Sequence, residues 1–246
     1  MSASTGTAIV TGGSRGIGRA ISLRLAGDGF AVALNYVGNK EQADRTVAEI
    51  TGMGGRAVAV RGDVGKVEDV ERLFHAAKEA FGSVEVVVNS AGIMPMQPIE
   101  GADMDVFDKV INVNLRGAFI VLGQAASHLE RGGRIIALSS SVIAPAFPGY
   151  GPYIASKAGV EGLIRVLANE MRGRGITVNA IAPGPIGTDL FLAGKTEEQI
   201  ARIGGMAPLE PRLGTPEEIA AAVSFLAGPD GTWVNAQVLR VNGGFA

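Results

Sequence analysis

Short apolar, β-rich runs recur along the chain, and between them lie longer stretches in which apolar residues return every three or four positions. The runs are TAIVT (7–11), AVALN (31–35), RAVAVRG (56–62), VEVVVN (84–89), GRIIALS (133–139), GITVNAIAP (175–183) and AQVLRVN (236–242). They predict seven strands. The stretches GRAISLRLAGDG (18–29), KEQADRTVAEITGMG (40–54), VEDVERLFHAAKEAFG (67–82) and YIASKAGVEGLIRVLANEMRGRG (153–175) carry helical spacing. This alternation predicts an α/β chain with one doubly wound, seven-stranded, mostly parallel sheet and helices on both faces. Gly27 and Gly29, Gly82 and Gly173 stand where left-handed helix caps are expected.

No linker, internal repeat or low-complexity tract breaks the pattern, so residues 1–246 read as a single domain. The long irregular stretch, 183–214, carries Pro183, Pro185, Pro208 and Pro211. Its part from about 186 to 214 reads as a substrate lid.

Composition narrows the function classes. A hydrophobic share of 47% with 19% charged residues is ordinary for a soluble protein with a sizeable core. A net charge of -2 without a dense Lys/Arg block argues against nucleic acid and acidic membrane as partners, and in favour of small molecules. The absence of Cys excludes disulfides, a thiolate nucleophile and Cys-ligated zinc; His75 and His128 are the only imidazoles, so no metal centre is expected. The start MSASTGTAIV lacks a basic and a long apolar region, and no uncharged apolar run nears the roughly 18 residues of a membrane span. The cytoplasm is the expected compartment.

The strand TAIVT runs straight into TGGSRGIG (11–18) and then into a helix. Gly12, Gly16 and Gly18 permit a tight turn and let backbone N–H groups approach an anion that the helix N-terminus also attracts, so the loop reads as a phosphate cradle. Its spacing departs from G-x-G-x-x-G, and alone it carries little weight. GGSRG (12–16) also fits the nucleophile elbow G-x-S-x-G, with Ser14 as nucleophile. That arrangement needs several strands before the elbow and a His in a late loop. Here one strand precedes Ser14, and both histidines sit in helical stretches, so the phosphate reading is preferred.

With NSAG (89–92), NVNLRG (112–117), the serine run 139–141, YIASK (153–157) and PGPIGT (183–188), in this order across nearly the whole chain, the loop resembles the classical short-chain dehydrogenases/reductases. The resemblance implies a Rossmann-type domain and reversible hydride transfer between a nicotinamide cofactor and a carbonyl or alcohol. It makes Tyr153 the general acid for the carbonyl oxygen, and the base in reverse. A free phenol has a pKa of about 10, and a nearby cation lowers it by about 1 to 3 pH units. Lys157, four residues on along one helix face, is expected to do so and to hold the nicotinamide ribose hydroxyls. Isolated, the pair would read as a packed helix start and a solvated charge. The family's Ser lies 13 positions before its Tyr, which selects Ser140 to hold the carbonyl oxygen, with Ser139 and Ser141 one residue to either side. Asn114 matches the position whose backbone carbonyl, at a helix irregularity, holds a water next to the Lys; Asn112 is its rival.

The same resemblance gives the cofactor contacts. Gly12, Ser14, Arg15, Gly16, Ile17 and Gly18 form the phosphate loop. Asn89 ties the central strands, and Ala91 and Gly92 leave room for the adenosine ribose, with Ser90 replacing the usual second Asn. Asp63, followed by Val64, contacts adenine or caps the next helix. Pro183, Gly184 and Ile186 shape the nicotinamide site, and the Thr188 hydroxyl meets the carboxamide or phosphate. Members that prefer NAD carry an acid at the end of the second strand, where this chain has Asn35 and Tyr36. Arg15, unless simply solvated, can bind a 2′-phosphate, so NADP(H) is expected in preference to NAD(H).

The substrate pocket is expected between Ile93, Met94 and Met96, then Val142, Ile143, Phe147 and Tyr150, and the lid residues Leu190, Phe191 and Met206. An apolar lining suits a ketone or aldehyde with a hydrophobic substituent. The sequence therefore reads as an NADPH-dependent carbonyl reductase. A 3-oxoacyl-acyl-carrier-protein reductase and a sugar or polyol dehydrogenase are alternatives of the same family. A non-catalytic NADP-binding sensor is the alternative of another class, against which the complete set Asn114, Ser140, Tyr153 and Lys157 argues. By analogy a homotetramer is expected, with a dimer as alternative.

Overall fold

Each of the seven apolar runs is a strand of one sheet in the computed structural model, which describes residues 6–246. The reading of MSASTGTAIV as free of a leader rests partly on residues 1–5, which lie outside the described residues. The strands are β1 (Thr7–Thr11), β2 (Ala31–Tyr36), β3 (Ala57–Arg61), β4 (Val86–Asn89), β5 (Arg134–Leu138), β6 (Thr177–Pro183) and β7 (Val238–Val241). Their order is β3-β2-β1-β4-β5-β6-β7. Every neighbouring pair is parallel, so the sheet expected to be mostly parallel is wholly so.

Around it lie α1 (Gly16–Gly27), α2 (Lys40–Gly52), α3 (Val67–Phe81), α4 (Met104–Val110), α5 (Gly117–His128), α6 (Gly151–Glu170), α7 (Asp189–Leu192), α8 (Glu197–Gly204) and α9 (Pro216–Ala227). The strands are apolar throughout because successive side chains feed opposite layers. Ala8 and Val10 of β1 join one core with Ile21 and Leu25 of α1, Ile50 of α2 and Val223 of α9. Ile9 between them joins a second core with Leu73 and Phe74 of α3, Val121 of α5 and Ile164 of α6. Burial of each of the Val, Leu, Ile and Phe side chains is worth about 1.5–3 kcal/mol, which fixes the strand register between the layers.

Gly29, Gly82 and Gly173 take the expected left-handed φ of 97°, 93° and 82°. Gly27 does not. It is the last residue of α1, Asp28 continues the turn with φ -77°, and the reversal falls on Gly29. The stretch 183–214 is also more ordered than its prolines suggest, since α7 and α8 lie within it. The α8 start is a capping box: Thr196 Oγ1 accepts from Gln199 N (3.2 Å) and Gln199 Oε1 from Thr196 N (2.9 Å).

From β3 the chain returns across the sheet to β4 on the far side of β1, which opens a crevice beyond the strand ends. There Thr11 and Asn89 stand in register. The buried Thr11 hydroxyl donates to Asn89 Oδ1 (3.0 Å) and accepts the N–H groups of Ser90 and Ala91 (3.0 Å each). Asn89 thus ties the central strands, as expected. Thr11→Val keeps the shape and removes these bonds. It should destabilise the protein by about 2 kcal/mol, seen as a lower denaturation midpoint at unchanged slope, while Thr11→Ser should keep most of the stability.

Candidate active site

The C-terminal ends of β1, β4, β5 and β6 open onto one cavity of about 740 Å³, within the size range of small-molecule sites. Its floor is the glycine loop. Gly12 has φ 64°, and a Cβ on Gly18 would lie 2.2 Å from the Gly12 carbonyl oxygen. Only Gly at these positions lets β1 turn so sharply that the α1 N-terminus faces the cavity. A cradle this close to backbone N–H groups fits the pyrophosphate of a dinucleotide. Ser14 is buried in the loop, Gly16 and Ile17 line it, and Arg15 at the N-cap of α1 is exposed and makes no capping bond. Arg15 also borders a recess of about 310 Å³ shared with Arg19, Gln42, Arg45, Glu49 and Asp189.

Asn35 lines the cavity with its amide engaged by protein partners. Its amide donates to the Gly62 (2.7 Å) and Val60 (3.4 Å) carbonyls and accepts the Gly12 N–H (3.4 Å), so it fastens β2 to β3 and to the glycine loop. Tyr36 beside it is buried and lines the cavity. Asp63 and Val64 line it too. Asp63 is not the cap of α3, whose N-cap is Lys66. Its carboxylate accepts from Gly65 N (2.9 Å), while Asp69 reaches back to Asp63 N (2.8 Å).

Tyr153 and Lys157 share one face of α6, whose first turn holds Pro152, a residue suited to a helix start. Lys157 is buried; its Nζ donates to the Leu138 carbonyl at 2.7 Å and lies 5.7 Å from the Tyr153 ring centroid. Burial lowers the Lys157 pKa to about 8. Tyr153 is only half-buried by surface area because it lines the cavity. Enough protein still surrounds the phenol for burial to push it up to about 12, against the opposing pull of a Ser140 hydrogen bond. The expectation that Lys157 depresses the phenol is therefore corrected. Desolvation sets the direction of the Tyr153 shift, the Lys157 ammonium is bound to the Leu138 carbonyl, and burial penalises phenolate and ammonium alike. At neutral pH the pair is a neutral phenol and a charged lysine.

The serine run resolves by its partners. Ser139 Oγ donates to Glu161 Oε1 (2.7 Å), and Ser141 Oγ donates to the Ala182 carbonyl (2.8 Å). Ser140 alone turns to Tyr153, capping a short 3-10 turn through Val142 N (3.3 Å). The irregularity expected around Asn114 is present: Ile111–Arg116, between α4 and α5, is π-helical. Asn114 is buried, exchanging hydrogen bonds with the Ile93 N–H and carbonyl (2.9 Å each) and donating to Ser156 Oγ (3.2 Å). Asn112 packs instead against Gly65. Ala91 and Gly92 line the cavity, and a Cβ on Gly92 would stand in ordinary contact with Asn114 Oδ1 (3.4 Å) and Lys157 Nζ (3.7 Å), which places this turn beside the lysine.

From β6, Pro183, Gly184 and Ile186 line the cavity, and Thr188 caps α7 through Phe191 N (3.4 Å). Its Cγ2 lies 3.5 Å from where Gly16 would carry a Cβ, which brings PGPIGT against the glycine loop. Of the expected walls, Ile93, Met94, Val142, Phe147, Tyr150, Leu190 and Phe191 line the cavity. Met96 and Met206 do not, being turned to solvent, and Ile143 lies in the 3-10 turn outside the lining. Sequence reading missed Ile203, on a helix hidden in a proline-flanked stretch, and Phe245, which follows two glycines without any periodic signal. Neither histidine lines the cavity, so Ser14 has no imidazole partner there.

A family profile described as enoyl-(acyl carrier protein) reductase matches residues 12–246. A protein of Arabidopsis thaliana named NADPH-dependent aldehyde reductase-like protein, chloroplastic, is 44% identical across 97% of this chain and 93% of its own. A short chain dehydrogenase from Burkholderia cenocepacia J2315, solved in complex with NADP, superposes with a TM-score of 0.93 at 36% identity over 98% of both chains. A blue fluorescent protein from a metagenomic library, in complex with NADPH, does so with a TM-score of 0.93 at 38% identity over 99% of this chain and 98% of its own. With these likenesses spanning almost its whole length, the chain belongs to the short-chain dehydrogenase/reductase family.

Proposed function

We propose that the protein reduces aldehydes or ketones to alcohols with NADPH, in a reversible reaction that Tyr153 completes with a proton. The observation that carries this is the meeting of Ser140, Tyr153 and Lys157 on one wall of a cavity whose floor is a phosphate cradle. The aldehyde reductase-like relative and the NADP and NADPH complexes of the structural neighbours support it.

When bound, the reduced nicotinamide supplies the hydride. The Ser140 and Tyr153 hydroxyls hold the carbonyl oxygen, and Tyr153 gives it a proton as negative charge develops there. A phenol held near 12 carries that proton at neutral pH. The Lys157 ammonium, charged below about 8, stabilises the phenolate left behind. Lys157 also has the reach to hold ribose hydroxyls, and Asn114 fixes the Ile93 backbone beside it.

Preference for NADP(H) over NAD(H) follows from the lack of a carboxylate at the end of β2 and from the free guanidinium of Arg15 at its recess. The helices α7 and α8 act as the substrate lid. A homotetramer is the assembly in this reading, supported by exposed Phe119 on α5 and Val166 on α6, 64% and 57% accessible. The cytoplasm is the proposed compartment, on composition alone. The apolar wall serves sugars and polyols poorly, and a sensor has no use for the assembled proton donor.

Tyr153→Phe should lower kcat for carbonyl reduction by about 10²- to 10⁴-fold while calorimetry still finds NADPH bound. Between pH 6 and 8 reduction should stay level, whereas alcohol oxidation, which needs the phenolate, should climb about tenfold per pH unit; above about 8 reduction should fall as Lys157 loses its proton. Arg15→Ala should raise KM for NADPH about tenfold and leave KM for NADH in place, read by steady-state kinetics with both cofactors.

A further inference from the structure

The wall that carries Tyr153 continues as a ladder of aromatic rings. Tyr153 and Tyr150 lie 6.4 Å apart at 66°, Tyr150 and Phe147 6.3 Å at 61°, and Phe147 and Phe245 6.0 Å at 71°. All four line the cavity. These edge-to-face contacts are the arrangement the ring quadrupole favours, so each rung orients the next.

Phe245 is 92 positions beyond Tyr153 and is brought there by a hook. Asn242 Oδ1 accepts from Gly244 N (2.9 Å), and its Nδ2 donates to Ala246 O (2.9 Å) and to Ser141 Oγ (2.9 Å), next to Ser140. Gly243 and Gly244 adopt φ of 61° and 85°, which turn the chain back toward the cavity. The other side of the hook is tied to the segment after α8. Leu209 N donates to the Gly243 carbonyl (3.1 Å), and a Cβ on Gly244 would stand 2.8 Å from Pro208. The hook therefore links the serine turn, the end of the lid and the cavity wall.

We infer that Phe245, held by the Asn242 hook, determines substrate specificity and, with Phe147 and Tyr150, selects carbonyl compounds that bear an aromatic ring. This rests on the reading of the cavity as a carbonyl-reduction site. A carbonyl oxygen at the Tyr153 hydroxyl leaves its substituent lying along the next rungs. A flat ring can offer an edge or a face to each of them; a saturated ring with the same carbon count is thicker and has no quadrupole to offer. The rungs carry no charged group, so selection is by shape and ring polarity.

Two matched pairs test this in the wild type and in Phe245→Ala, Phe245→Leu and Phe245→Tyr. Benzaldehyde and cyclohexanecarbaldehyde are compared as substrates with NADPH. Benzamide and cyclohexanecarboxamide, which are not turned over, are compared by calorimetry with NADP⁺ present. The wild type should favour the aromatic member about fivefold in KM and in Kd. Phe245→Ala and Phe245→Leu should bring both ratios to about one, the loss falling on the aromatic member, and Phe245→Tyr should restore them. No aromatic preference in the wild type, or one that survives Phe245→Leu, overturns the inference. Should the wild type reduce neither aldehyde, the carbonyl-reductase reading fails, and the amide pair still decides the role of Phe245: an aromatic preference lost in Phe245→Leu upholds it, and its absence overturns it.

Discussion

A lysine ammonium buried beneath a phenol, with the Leu138 carbonyl as its acceptor at 2.7 Å, is the contact around which the site is arranged. An isolated buried cation would cost several kcal/mol; that hydrogen bond limits the cost, and what remains shows as the drop of its pKa to about 8. Burial acts on the phenol in the opposite sense and keeps its proton in place. The two groups thus stand ready as a proton donor and a positive charge on the same helix face. Their one-turn spacing on α6 makes this geometry independent of any loop.

The sheet supplies the rest of the positioning. Leu138 is the last residue of β5, so the lysine is held by a strand end. Thr11 and Asn89 join the ends of β1 and β4 where the chain changes direction, and the glycine loop leaves β1 at the next residue. Asn35 then ties that loop to β2 and β3. The glycine loop and the Tyr153–Lys157 pair therefore sit on one parallel scaffold. The π-helical turn Ile111–Arg116 adds a local distortion that places Asn114 against Ile93 and Ser156 rather than on the regular helix course.

How much of this could be read without coordinates differs from residue to residue. The strands were legible because burial on both faces leaves an unbroken apolar run, and Gly12 and Gly18 because no side chain fits where they stand. Spacing selects Ser140, but what separates it from its neighbours are Glu161 and Ala182, 22 and 41 residues from Ser139 and Ser141, which no local pattern reveals. Asn35 was placed correctly at the end of β2, yet its engagement by the Gly62 and Val60 carbonyls belongs to strand pairing. The direction of the Tyr153 shift is not legible without coordinates, because a sequence displays the charged neighbour and conceals how much water the fold removes. The helices α7 and α8 were hidden by the prolines around them, and Phe245 had no periodic context at all.

The central claim is that packing sets the protonation of Tyr153. Ultraviolet difference titration of tyrosinate absorbance in the wild type and in a protein lacking only the Tyr153 hydroxyl isolates this phenol from Tyr36 and Tyr150. The account predicts that it loses its proton well above 10, at about 12. A transition at or below pH 8 would show the nearby ammonium winning over desolvation, and would contradict it.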